Sequence, residues 1–226
     1  MPRNDGAQRD HGVEPSRALQ DAVDPCAPLS SETVYTGRIW NVVTESFAFP
    51  HSDEPLVRDY IDHTGAVSVV VLDEQQRILL QRQYRHPVGM RLWEIPAGLL
   101  DVDGEPALEA ARRELAEEAD LAAETWHVLT DFFNTPGYSS EAQRVFLARG
   151  LSEVPEHERH LRTDEEADMQ SAWVPLDEAV GLVLEGRLHN PSAVVGILAA
   201  HAAAATGFAG LRPADSPWDE HPRLRP

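Results

Sequence analysis

A single cysteine, Cys26, in 226 residues excludes an internal disulfide and suits a reducing compartment, so a cytoplasmic location is expected. No stretch approaches the run of about 18 apolar residues that a membrane-crossing helix needs. The opening residues MPRNDGAQRDHGVEPSR lack the apolar centre of a secretory signal, so none is expected. Basic residues are scarce: 19 Lys and Arg stand against 38 Asp and Glu, a formal net charge of −19. That balance disfavours nucleic acid as a partner, because phosphate backbones are bound by basic footprints. The same field repels a small polyanionic substrate, so arginines or bound metal must reverse its sign wherever such a substrate sits.

What is present is an ordinary hydrophobic fraction, 42%, on a chain long enough for one good core or two small ones. Residues 1–30 are polar and aperiodic and read as a disordered arm. Residues 211–226 carry Pro213, Pro217, Pro222 and Pro226 and read as a flexible tail. Residues 31–62 form a strand segment, and residues 63–210 the main domain. In the first, residues 33–47 are β-branched and aromatic with an interruption at Gly37, and residues 57–61 alternate. Residues 66–72 are a nearly continuous apolar run, followed by a turn at 73–76 and residues 77–84 as the expected hairpin partner. Residues 93–97 look like a short strand entering a loop at Gly98. Further strands are expected at 126–133, 142–148 and 169–174. Helices follow at 176–184 and after Asn190, which is placed to cap a helix with Pro191 at its first position and Gly207 at its end. Strands and helices interleave without regular βαβ alternation, which points to the α/β class: an α/β/α sandwich with a mixed sheet and an N-terminal strand appendage.

The most informative stretch runs from Gly98 to Leu121. Leu108, Ala111, Leu115 and Ala119 define one apolar helix face, with Pro106 near the start. On such a helix Glu114 and Glu118 stand at i and i+4 with Glu117 beside them, on the face expected to point away from the core. Stacked like charges cost a few tenths of a kcal/mol per pair. Either the helix simply shows an acidic face to solvent, or a hard divalent cation neutralises the cluster.

The residues around the cluster decide between these readings. Glu105, Arg113, Glu114, Leu115, Glu117, Glu118 and Leu121 fall in register with the Nudix box, Gly-x5-Glu-x7-Arg-Glu-U-x-Glu-Glu-x-Gly-U, where U is aliphatic. Gly98 lies one residue early, and Asp120 replaces the last Gly at a position that would take positive φ. The resemblance implies a Nudix-type α/β/α sandwich. It further implies metal ligation by Glu114, Glu117, Glu118 and the Ala97 carbonyl, supported by Glu105 and Arg113, with Glu117 and Arg113 counted in the catalytic set. Mg²⁺ is the implied ion, two or three per site, with Mn²⁺ able to substitute.

Downstream, Pro136 follows Asp120 by sixteen residues, and Thr135-Pro-Gly-Tyr-Ser-Ser-Glu141 resembles the Ser/Thr-Pro-Gly-x-Ser-x-Glu loop of the ADP-ribose pyrophosphatase group. In that group the loop's Glu handles the attacking water, which places Glu141 in the catalytic set. Residues 81–87 and 92–98 resemble the same group. Arg85 is then a candidate for a bidentate diphosphate contact, with Glu94 and Gly98 beside the substrate. The resemblance also implies a homodimer whose N-terminal strands pair across a two-fold axis, so that Arg38 and Trp40 serve a neighbour's pocket. The expected reaction is hydrolysis of ADP-ribose to AMP and ribose 5-phosphate. Alternatives are a Nudix hydrolase of another nucleoside diphosphate sugar or dinucleotide, or a sensor that binds ADP-ribose without cleaving it.

Two other features say less. His157 and His160 lie close in sequence without partners for a zinc site, and residues 164–168 read as an acidic loop.

Overall fold

A computed structural model of the chain describes residues 19–161 and 169–225. At its centre is β4 (Ala66–Val71), buried at all six positions, as a strand covered on both faces must be. It pairs in parallel with β9 (Ala142–Glu153) and antiparallel with the short edge strand β7 (Ala97–Leu99). β8 (Leu121–Phe133) and β11 (Arg212–Pro213) complete a five-stranded mixed sheet in the order β11-β8-β9-β4-β7. Alternation along β4 sends Val67, Val69 and Val71 to one face and Val70 to the other. The first face is covered by Ala110, Ala111 and Leu115 of α1 (Ala107–Ala119). The second meets Ala193, Ile197 and Ala200 of α3 (Pro191–Ala204), with α2 (Leu176–Leu184) packed alongside. Gly196 lets α3 approach, since a Cβ there would press on Val70 and Ile95. This is the expected α/β/α sandwich.

A second sheet, in the order β10-β5-β6, joins β5 (Arg77–Arg85) to β6 (Met90–Glu94) and β10 (Gln170–Pro175). The hairpin expected between residues 66–72 and 77–84 is therefore corrected. Both edges of β4 are occupied by β7 and β9, so β5 crosses to the other sheet and keeps one bridge, Leu72 to Ile78. The strand expected at 93–97 is split between β6 and β7. Pro96, which has no N–H to donate, separates them.

The N-terminal appendage is a third sheet, β1 (Pro28–Thr36), β2 (Asn41–Phe47) and β3 (Leu56–Asp62), with β1 exposed at every position. The break at Gly37 is a turn in which Gly37 N–H donates to the Trp40 carbonyl at 3.0 Å. Residues 1–18 of the expected arm lie outside the described residues, and β1 begins at Pro28, inside the span assigned to it. The acidic stretch 164–168 also lies outside the described residues.

The flexible tail expected at 211–226 is corrected too. Arg212 and Pro213 pair with Val128 and His127 on the open edge of β8. Trp218 is 7% exposed and His221 1%. The prolines here shape turns across a surface that the aromatic residues bury, which composition alone did not reveal.

Candidate active site

Helix α1 starts behind Pro106 and stops at Asp120, whose φ of 54° puts it in the left-handed region as its place in the motif requires. Between Leu100 and Pro106 the chain loops out through Gly104, φ 74°. The extra residue before Glu105 is absorbed there, while Gly98 is held on β7 by a contact. A Cβ at Gly98 would run into the Glu114 carboxyl, so the side chain missing from this glycine is the space in which Glu114 lies. Glu118 reaches the same strand, its Oε2 accepting the Ala97 N–H at 3.0 Å. Its backbone carbonyl accepts from Gln81 Nε2 at 2.6 Å. Glu118 is only 9% exposed, which corrects the expectation that all three glutamates face away from the core. Glu114 and Glu118 point along the helix flank towards β7, and Glu117 is the more open of the three.

Arg113 is the hub of this cluster. Its Nε and Nη2 grip both oxygens of Glu105 at 3.0 Å, and its Nη1 reaches Glu114 at 2.6 Å and Glu117 at 3.3 Å. Arg113 thus pairs with Glu117 one turn further along the helix and at the same time reaches back to Glu105 in the preceding loop. The fork of hydrogen bonds from Arg113 holds the Glu105 carboxyl below its usual range. One guanidinium nevertheless binds three carboxylates, with Glu118 as a fourth beside them, so the cluster keeps a surplus of negative charge. As it stands, Glu114 is drawn to Arg113 and Glu118 to the Ala97 amide. With the carboxylates turned to these partners, no three His, Cys, Asp or Glu side chains among the described residues converge on one point as metal ligands do.

Beside this cluster opens a cleft of about 460 Å³. It gathers Trp40, Arg85, Glu94, Ala97, Gly98 and Glu141 from five places along the chain. Glu141 is held by two amides: Asn134 Nδ2 donates to Oε2 at 3.0 Å and Gln143 Nε2 to Oε1 at 3.2 Å. The loop before it is a tight turn, with Ser139 N–H and Tyr138 N–H both donating to the Thr135 carbonyl. Arg85 makes its bidentate contact with Glu94, at 2.9 and 2.7 Å, where a diphosphate had been expected. Trp40 and Ile39 line this chain's own cleft. Arg38, in the same turn, is exposed and does not line it.

Among the polar residues that line the cleft, His63, Asn134, Gln143 and Ser192 escaped the sequence reading. Gln143 was the most accessible to inference, being two residues from Glu141 at the start of a strand and hence on the same face. His63 accepts the Gly65 N–H on Nδ1 at 3.0 Å. Burial holds its imidazole below the ordinary 6.5, and the field of Glu141 pulls the other way. His157 and His160 are exposed, away from this cleft.

Residues 62–194 match the family model described as the NUDIX domain. The chain belongs to the Nudix family. It is 46% identical to an ADP-ribose pyrophosphatase of Mycobacterium tuberculosis over 194 residues, covering 86% of this chain and 91% of that one. An ADP-ribose pyrophosphatase of Bacillus subtilis is 33% identical over 155 residues, covering 69% of this Nudix chain and 81% of its own. The crystal structure of an ADP compounds hydrolase superposes with a TM-score of 0.67 at 22% identity, covering 83% of this chain and 99% of that one. At that identity the likeness speaks for the Nudix fold, which is the α/β/α arrangement described above.

Proposed function

We propose that this Nudix protein hydrolyses the diphosphate of ADP-ribose, releasing AMP and ribose 5-phosphate. The observation that carries the reading is the position of Glu141. Amides hold both of its oxygens, in a cleft that also contains Ala97 and Gly98, the two residues against which the acidic helix is packed. The two pyrophosphatases similar to this chain over most of its length support the choice of substrate.

The donor set suits a hard divalent ion. Three carboxylates on one turn and a half of helix face a glycine whose missing side chain leaves room for one of them, and Arg113 neutralises only part of their charge. Glu114, Glu117, Glu118 and the Ala97 carbonyl would hold Mg²⁺, or Mn²⁺ in its place, two or three ions in all. Bound there, such ions neutralise the diphosphate and lower the pKa of a coordinated water. The protein's own groups do the rest. Glu141 orients the attacking water and accepts its hydrogen bond, its direction set by Asn134 and Gln143. Arg113 keeps Glu105, Glu114 and Glu117 at fixed spacing. Arg85, released in part from Glu94, turns its fork to the phosphoryl oxygens. Trp40 offers a flat face to the adenine at the cleft rim.

We further propose a homodimer formed through the N-terminal sheet, where Leu29, Val34 and Tyr35 on β1 and Val57 on β3 are exposed on its two outer strands. The expected setting is the cytoplasm, and no described helix is long and apolar enough to cross a membrane. A substrate panel tests the assignment. ADP-ribose, ADP-glucose, GDP-mannose, NADH and diadenosine polyphosphates are each incubated with Mg²⁺, and kcat/KM should be highest for ADP-ribose. A higher value for another member of the panel would move the assignment to that compound.

A further inference from the structure

We propose that residues 212–225 are a positioning element of the active cleft, a clasp that holds the wall at residues 63–66 against the Glu141 loop. Three contacts carry this. The first is Arg144, 2% exposed and three residues after Glu141 in β9. Its Nε and Nη2 bind both oxygens of Asp131 at 2.8 and 3.0 Å. Its Nη1 and Nη2 also donate to the Ser216 and Pro217 carbonyls at 2.7 and 3.1 Å, and its guanidinium lies 4.5 Å from the centre of the Trp218 ring. The start of β9 is thereby bolted to the C-terminal segment. The second is His221, whose ring packs where a Cβ at Gly65 would be. Gly65, at φ +85°, is the one residue type that fits both that backbone and that neighbour. The third is Arg223, which binds Asp62 Oδ2 at 2.7 Å at the end of β3.

These contacts reach the cleft through His63. Gly65 N–H donates to His63 Nδ1, so the neutral ring carries its proton on Nε2, a donor for a substrate oxygen in the cleft that His63 lines beside Glu141. His63 N–H donates to Ser140 Oγ at 2.9 Å, Ile61 N–H to the Tyr138 carbonyl at 2.8 Å, and Ser140 N–H to the Ile61 carbonyl at 3.0 Å. The His63 wall and the Glu141 loop are therefore stitched together in front, and the clasp secures both from behind. No clasp residue lines the cleft, so its effect passes through His63 and Glu141.

The proposal rests on the reading of Glu141 as the water-handling group, and its test separates the two. The full chain, a chain ending at Leu211 and the variants Arg223→Gln and Trp218→Leu are compared with ADP-ribose and Mg²⁺. In the shortened chain kcat should fall by about 10- to 100-fold while KM changes less than about threefold, the pattern of misplaced rather than missing groups. A peptide of residues 212–226 added in trans should restore the rate. Nitrogen NMR of the imidazoles should show His63 as the Nε2–H tautomer in the full chain and as a mixture without the clasp. Wild-type kcat and an unchanged His63 tautomer in the shortened chain would overturn the proposal. Should that chain not fold, the same outcome in both point variants would do so. If the full chain releases no AMP, the substrate reading fails instead, and the His63 spectra decide the clasp alone.

Discussion

Acidification should weaken this protein through one imidazole. His221 is almost fully buried, stacked edge-on against Trp218 at 4.6 Å, with Nδ1 accepting the Arg223 N–H at 3.2 Å. Its pKa is pushed down to about 4, mainly by burial. The Thr64 carbonyl opposes that push, and the guanidiniums of Arg223, Arg144 and Arg225 add to it. In the unfolded chain an imidazole titrates near 6.5. The folded state therefore binds fewer protons between those values. The neutral ring's contribution is complete above about pH 6.5, declines as pH falls from there, and levels off near pH 4. Across the whole interval the loss amounts to about 3 kcal/mol, and at pH 5 to about 2 kcal/mol. If the clasp lifts away before the domain unfolds, the global loss stops at the cost of that local opening, and Trp218 reports it first. The assay is urea unfolding of wild type and His221→Gln at about pH 8, 7, 6 and 5. Carboxylates titrate in both proteins, so the gap between the two stability curves isolates His221. The gap should narrow by about 1.4 kcal/mol per pH unit below 6.5. Curves that stay parallel from pH 8 to 5 would refute the reasoning.

Other outcomes follow from the site. Glu141→Gln should lower kcat by about 10²- to 10⁴-fold with KM nearly unchanged, and an unaltered kcat in steady-state assays would remove Glu141 from the scheme. Gly98→Ala should displace the Glu114 carboxyl and raise the Mg²⁺ concentration needed for half-maximal activity by at least about tenfold, read from a metal titration; an unshifted titration would show that the missing Cβ does not matter. Arg113→Lys should cost about 1–3 kcal/mol in urea unfolding, because an ammonium cannot keep the two-oxygen grip on Glu105 while also reaching Glu114. Asp120→Gly should add about 0.5–1 kcal/mol by removing a Cβ from a left-handed position, and a lower melting temperature would contradict this.

How much of this was legible beforehand depended on how local the cause was. The helix of the motif, its stop at Asp120 and the Asn190 cap, which accepts from Ala193 N–H at 2.9 Å, could be read because each is written within a few residues. The direction of Glu118 could not. Apolar spacing places a helix face, whereas the Ala97 amide that captures this carboxylate comes from an edge strand some twenty residues earlier. The pairing of β4 failed for a similar reason. Nearness in sequence favours a hairpin, but the distant β9 takes one edge of β4 and β7 the other. The C-terminal segment was misread because four prolines outweighed one tryptophan. Trp218 has a buried arginine to stack on, and Arg144 lies more than seventy residues away. His63 was missed because its signal is a contact with Gly65 and a neighbour in another loop, neither of which forms a motif.

The account's central claim is that the acidic helix and Glu141 together cleave a nucleoside diphosphate sugar. The most direct measurement is AMP release from ADP-ribose, followed over a range of Mg²⁺ concentrations. Release that saturates in both substrate and metal, and stops when the metal is chelated, is the result the account predicts. No AMP at micromolar enzyme and millimolar Mg²⁺, from a protein shown to be folded, would contradict it.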